Sequence, residues 1–180
     1  IGAGIPGTPL DHVVGVLKAY STCVGAGPFV AEKAMPEAWV EALRKSGGEY
    51  GAATGRPRRV GPFDAVASRY GLKCQNADKI ALTKLDVLSG LSEIPVIVGY
   101  RNDDQITTQF DPLENLEVCK PIIEYLPGWK EDISGCRSWK ELPTNAKSYI
   151  SHIEKLLDHE IQFISLGAER NQYLLKGAWL

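Results

Sequence analysis

Apolar positions along the chain repeat with two different periods. Leu10, Val13, Val14 and Leu17 recur at helical spacing, and Thr8-Pro9-Leu10-Asp11 before them has the form of a capping box with proline at the first helical position. This predicts a helix from Pro9 to Tyr20. A second helix is predicted from Pro36 to Gly47-Gly48, with Glu41 and Lys45 four apart on an exposed face. Asp64 opens a third helix through Tyr70. Thr144 caps a late helix with the stripe Tyr149, Ile150, Ile153, Leu156 and Leu157.

Between the helices stand short apolar runs of strand length. Ile80–Thr83 and Ile161–Ile164 read as buried strands, and Ile122–Leu126 as another. Ile94–Arg101 and Gln105–Gln109 read as a hairpin turning at Asn102-Asp103-Asp104. No repeat, low-complexity tract or linker divides the chain. The alternation predicts an α/β fold in one domain, residues 1–180, on a mostly parallel sheet with an antiparallel edge.

Composition narrows the function classes. The 180 residues carry 20 Lys and Arg against 22 Asp and Glu, for a net charge of −2, so a general nucleic-acid surface is not expected and any anion site must be local. No apolar run reaches the ~20 residues of a membrane helix, and no signal peptide is visible. The cysteines Cys23, Cys74, Cys119 and Cys136 form no CxxC pair, which points to reduced thiols in a cytoplasmic protein. The histidines His12, His152 and His159 show no HExxH spacing and are read as solvated helix positions. The chain opens on Ile1 and its single methionine is Met35, so Ile1 is not expected to be a natural start.

Five segments carry candidate chemistry. Gly2-Ala3-Gly4-Ile5-Pro6-Gly7 spells GxGxxG, but no strand precedes it and proline interrupts it, so a turn or ligand-lining loop is the better reading. Thr83-Lys84-Leu85-Asp86 ends a buried strand, the place where a carboxylate can accept from both N1–H and the exocyclic amine of guanine while a lysine stem lies along the base. An ordinary helix-start aspartate beside a solvated lysine competes with that reading. Ser165-Leu166-Gly167 ends a second strand and offers backbone N–H groups to a base carbonyl, if the two strand ends converge. Gly51-Ala52-Ala53-Thr54-Gly55-Arg56-Pro57-Arg58-Arg59 crowds three arginines into a loop, where a bound carboxylate or phosphate would relieve their repulsion. A solvated basic loop is the alternative there. Ser21–Phe29, rich in small residues, can bring backbone close to a ligand.

Taken together, GVLKAYST from Gly15, VGAGPF from Val24, GEYGAATGRPRR from Gly48, LTKLDVLSGL from Leu82, PGW from Pro127, ELPTNAKSYI from Glu141 and ISLGAER from Ile164 resemble the C-terminal part of adenylosuccinate synthetase. The resemblance runs in order over nearly the whole chain. It implies a GTP- and magnesium-dependent, homodimeric cytoplasmic ligase that joins IMP to L-aspartate. GTP phosphorylates O6 of IMP, and the aspartate amine then displaces the phosphate. By position, Lys84, Leu85 and Asp86 with Ser165, Leu166 and Gly167 would form the guanine pocket, and Arg58 would approach GTP. Val24 and Arg56 would meet IMP, and Ala52, Ala53, Thr54, Gly55, Arg56, Pro57 and Arg58 would form the aspartate loop.

Three positions depart from the family pattern: Ala53 replaces a threonine of ATTGR, Cys23 an arginine, and Pro62 a tryptophan. The family's phosphate loop, its catalytic aspartate and histidine and most magnesium ligands have no counterpart in these residues. The resemblance therefore implies a fragment without catalytic residues of its own, inactive alone. The rival expectations are a free-standing guanine-nucleotide module and an interaction protein derived from the family.

Overall fold

A computed structural model describes residues 10–111 and 115–177. Its central sheet has four strands in the order β1 (Val14–Lys18), β5 (Lys79–Thr83), β9 (Ile161–Ser165) and β10 (Tyr173–Leu175). β1, β5 and β9 run parallel and β10 closes one side antiparallel, so the expected mostly parallel sheet with an antiparallel edge is present. A second sheet holds β4 (Phe63–Asp64), β6 (Glu93–Asn102) and β7 (Gln105–Thr107), with β8 (Lys120–Pro127) along the other side of β6. β2 (Ser21–Cys23) and β3 (Arg59–Gly61) form a two-stranded antiparallel ribbon.

Among the described residues three α-helices cover these sheets: α1 (Glu37–Gly47), α2 (Ala65–Gln75) and α3 (Thr144–Leu157). α1 ends where Gly48 adopts φ 61°, the left-handed conformation that stops a helix at little cost to glycine. α2 starts because the Asp64 side chain accepts from the Ala67 N–H at 3.0 Å. The buried stripe of α3, Tyr149, Ile150, Ile153 and Leu157, packs in one core with Ile80, Leu82, Ile161 and Ile164 of the parallel strands. The helices α1, α2 and α3, the hairpin β6–β7 and the strands β5, β8 and β9 thus formed where the sequence placed them, with α2 running on past the expected Tyr70 to Gln75.

The first expected helix did not. Residues 14–18 are the strand β1, paired parallel to β5 from Val14 with Lys79 to Lys18 with Thr83. Thr8 and Pro9 of the expected cap, and the GxGxxG run, lie outside the described residues. The apolar spacing at Leu10, Val13, Val14 and Leu17 satisfies a helix template, but a run of three valines and a glycine is poor helix material and good strand material. Gly15 faces α2 so closely that a Cβ there would stand 2.4 Å from Leu72 Cδ2. The Asp78 carboxylate then anchors the strand's entry by accepting from the Val13 N–H at 2.6 Å.

Smaller corrections follow the same logic. Thr144 is the first helical residue of α3 and not its cap; Pro143 holds the cap position, with no side-chain bond. Glu41 pairs with Arg44, one residue before the expected Lys45. His12 sits in the loop before β1, 2.6 Å from Asp78, and His159 lies just past α3 against the Leu157 and Ala77 carbonyls. His152 alone is on a helix, partly buried 3.2 Å from Glu124. The four cysteines are free thiols.

Candidate functional site

The parallel pairing of β5 with β9 sets Leu82 opposite Ile164. Both strands therefore finish at the same edge of the sheet, and their following loops leave side by side. One carries Lys84, Leu85 and Asp86; the other carries Ser165, Leu166 and Gly167. Leu85 and Leu166 turn fully into the core and pin the two loops from beneath, leaving Asp86 half-buried above them. Burial pushes the Asp86 carboxyl up from its ordinary value, against its own backbone N–H and the nearby Lys84 charge. Among the described residues no cation forms an ion pair with it. In the second loop the Ser165 hydroxyl donates to the Gly167 carbonyl at 3.1 Å. Gly167 lies so close to Gln172 that a Cβ there would meet its Oε1 at 2.1 Å. The loop is thus tightly folded and presents backbone.

The arginine loop is a closed turn. Gly51 N–H donates to the Arg56 carbonyl and Gly55 N–H to the Gly51 carbonyl, both at 2.8 Å, with Gly55 at φ 64°. Ala52 to Pro57 stand exposed on it. With Cys23, Val24 and Gly25 the loop residues line a cleft of about 450 Å³. Val24 therefore shares a cavity with Arg56 and Arg58, residues more than thirty positions away in sequence.

The three arginines are not equivalent, which the crowding argument did not foresee. Arg59 forks onto Glu32, Nε at 3.0 Å from both carboxylate oxygens and NH2 at 2.6 Å from Oε2, and its NH1 also reaches the carbonyls of Gly25 and Gly27 at 3.2 and 2.9 Å. It ties down the small-residue loop. Arg58 donates NH1 to Glu49 Oε2 at 2.7 Å. Arg56 is exposed and forms no ion pair among the described residues. Mutual repulsion is thus relieved for two of the three by carboxylates of the chain itself.

Sequence reasoning missed Glu49. Its carboxylate is fully buried and takes Lys18 Nζ at 2.9 Å, Tyr20 Oη at 2.7 Å and Lys84 Nζ at 3.3 Å on Oε1, besides Arg58 on Oε2. Lys84 also donates to the Gly47 carbonyl at 2.5 Å and holds φ 59°, a conformation that costs a non-glycine residue about 1–2 kcal/mol. The only advance signal for Glu49 was an acidic residue set between glycines just before an arginine cluster.

The strand-end pair, the arginine loop and the cleft with Val24 hold the residues for which the sequence resemblance implied roles. The family model described as adenylosuccinate synthetase matches residues 1–174. The chain belongs to the adenylosuccinate synthetase family. It is 46% identical to the adenylosuccinate synthetase of Carboxydothermus hydrogenoformans over 176 residues, which is 97% of this chain and 41% of the relative. It is 44% identical to that of Anaeromyxobacter sp. strain K, covering 97% of this chain and 40% of that one. Among solved structures it resembles fully ligated adenylosuccinate synthetase from Plasmodium falciparum, with a TM-score of 0.89 and 43% identity over 97% of this chain and 42% of that chain. The chain spans about two-fifths of the length of these synthetases. Among the described residues no helix is long and apolar enough to cross a membrane, and no group of three or more His, Cys, Asp or Glu side chains is placed to hold a metal ion.

The buried Glu49 cluster makes stability depend on acid. Burial by itself would raise this carboxyl, but hydrogen bonds from Lys18, Tyr20 and Arg58 outweigh it and hold the group at about 2, against an ordinary 4.5. A carboxyl whose folded value is depressed stabilises the fold above its unfolded value and loses that contribution as pH falls. The expected result is roughly 3 kcal/mol of stability, complete above about pH 5 and lost progressively toward pH 2. Urea titrations of wild type and Glu49→Gln across this range check it: the difference between their pH profiles must be steepest between pH 4.5 and 2, where the carboxyl of the unfolded chain is protonated and that of the folded chain is not.

Proposed function

We propose that this chain supplies the guanine pocket and the IMP–aspartate face of an adenylosuccinate synthetase, which converts IMP, L-aspartate and GTP to adenylosuccinate, GDP and phosphate. The observation that carries the reading is the parallel register of β5 and β9, which sets Asp86 and the Ser165–Gly167 loop on one sheet edge. A guanine base needs two acceptors' worth of carboxylate at N1–H and the exocyclic amine, and backbone donors at O6. Asp86 offers the first, and the Ser165–Gly167 backbone offers the second. Lys84 stands beside Asp86 to flank the base.

The cleft at the arginine loop supports the remaining roles. Arg56, exposed and unpaired among the described residues, presents a guanidinium fork to the α- or β-carboxylate of aspartate and reaches the IMP ribose. Ala52, Ala53, Thr54, Gly55 and Pro57 shape the turn that holds it. Val24 gives an apolar wall to IMP, and Arg58, steadied by Glu49, approaches the GTP side. Ala53 lacks the hydroxyl that the family pattern carries at this position, so Thr54 is the one hydroxyl donor of the turn.

No group of three or more His, Cys, Asp or Glu side chains gathers among the described residues, and no ligand of the reaction's magnesium is assigned to them. Their contribution is to bind and orient: they select the base at one end and fix the amino-acid nucleophile at the other. The parent enzyme is proposed to act as a cytoplasmic homodimer.

The test is an assay of an intact synthetase carrying this segment, supplied with IMP, aspartate, magnesium and either GTP or ATP. GTP-dependent release of adenylosuccinate and phosphate is the expected result, with ATP at least a hundredfold poorer in kcat/KM because adenine offers Asp86 no N1–H. Equal use of ATP removes the guanine pocket from the proposal. Guanine-nucleotide binding without condensation would instead favour a binding module.

A further inference from the structure

We propose that Glu49 is a positioning residue that ties the guanine-side lysine to the arginine loop, so that the two substrate regions are energetically coupled through one buried carboxylate. The inference rests on the synthetase reading and extends it to a residue outside both binding loops.

Geometry carries the argument. Lys84 belongs to the loop after β5, and Arg58 to the loop before β3; they are 26 residues apart and share no direct hydrogen bond among the described residues. Both reach Glu49, Lys84 at Oε1 and Arg58 at Oε2. Lys18 from β1 and the Tyr20 hydroxyl complete the shell on Oε1. A carboxylate gripped at both oxygens and fully buried has one orientation. It cannot turn toward one partner without leaving the other.

The backbone makes the arrangement stiffer. The Glu49 carbonyl accepts from the Arg58 N–H at 2.9 Å, and its N–H donates to the Arg44 carbonyl at 2.9 Å. Arg44 Nε in turn donates to the Arg58 carbonyl at 2.9 Å. Lys84 is bound to the same segment at the Gly47 carbonyl. Segment 47–49 therefore forms a clasp between the two loops, and Gly47 is held so near Tyr20 that a Cβ would stand 2.3 Å from its hydroxyl.

Charge decides what the clasp does. Three cations surround one carboxylate, so the cluster is held together only while Glu49 is ionised, and it is ionised at any pH above about 2. Removing that charge leaves Lys18, Lys84 and Arg58 to repel one another, and each long side chain then takes its position independently. A ligand that draws on Lys84 alters the pull on Arg58, and the reverse holds by the reciprocity of linked equilibria.

A double-mutant cycle in an intact synthetase carrying this segment tests the proposal. Lys84→Met, Arg58→Leu and the pair are compared by KM and kcat for GTP and aspartate, first with Glu49 present and then in Glu49→Gln. With Glu49 present, the combined effect on KM should depart from the product of the single effects by fivefold or more. In Glu49→Gln the single effects should multiply, with both KM values raised about tenfold and kcat changed less. A merely structural Glu49 would lower stability and active fraction, and so kcat, without altering the coupling. Simple multiplication with Glu49 present, or unchanged coupling in Glu49→Gln, overturns the proposal.

If Glu49→Gln does not fold, Glu49→Asp keeps the charge but shortens the reach by one methylene. It should reduce the coupling, and full retention of coupling there is equally fatal. Asp86→Asn, which does not touch Glu49, separates this failure from failure of the reading beneath it. A raised GTP KM in Asp86→Asn with a multiplicative cycle sinks only the clasp; unchanged GTP kinetics in Asp86→Asn sinks the guanine pocket and the clasp with it.

Discussion

Asp86→Asn is expected to lower kcat/KM for GTP by roughly two orders of magnitude in an intact synthetase carrying this segment, and to shift preference toward xanthosine triphosphate. The Asp86 carboxyl is half-buried at the end of β5 and raised by that burial, with no cation paired to it among the described residues. Two guanine donors, N1–H and the exocyclic amine, would supply the missing partners to the charged form. Losing a charge-assisted, two-pronged contact costs about 2–4 kcal/mol, which is the expected hundredfold. Asparagine keeps one acceptor but presents an amide donor where the second acceptor was. That donor clashes with the guanine amine and matches the C2 carbonyl of xanthine. Kinetics with both nucleotides check the assignment, and a mutant that uses GTP as wild type does would assign Asp86 to helix initiation alone.

Arg56→Leu is expected to raise the aspartate KM about a hundredfold and to lower turnover, with thermal stability unchanged. The guanidinium is exposed on a closed turn and has no ion pair among the described residues, so the fold does not depend on it. A two-pronged arginine–carboxylate contact in a cleft is worth about 2–3 kcal/mol. Lysine should rescue poorly, since an ammonium cannot form the planar fork. Arg59→Leu serves as the contrast: it releases Glu32 and the carbonyls of Gly25 and Gly27, so its first effect should be on stability. Wild-type aspartate kinetics in Arg56→Leu would leave the loop a solvated basic turn.

How legible the site was depends on which residues are considered. TKLD and SLG could be picked out because a polar cluster directly after a buried strand is a local pattern. The arginine loop could be picked out by charge density. What could not be read was which arginine is available. Arg58 and Arg59 are consumed by Glu49 and Glu32, and those carboxylates come from the segment after α1 and from the short turn at Val30–Lys33. Pairing of this kind depends on distances that exist only after β2 and β3 have joined.

The sequence by itself determined the elements whose burial repeats within one window: α1, α2, α3, β5, β9 and the β6–β7 hairpin, and with them the residue types at the strand ends. Those depend on the 3.6- and 2-residue periods of side-chain direction and on caps a few positions away. Only the tertiary structure decided that residues 14–18 are a strand, because a helical spacing of valines lost to a parallel partner at β5 and to the contact of α2 with Gly15. Only the tertiary structure put Asp86 beside the Ser165–Gly167 loop, through a register between strands distant in the chain. And only it turned Glu49 from one acidic residue among 22 Asp and Glu into the buried counter-ion of Lys18, Lys84 and Arg58. The strength of a charge pair depends on the dielectric and distance around it, and both are properties of the packed chain.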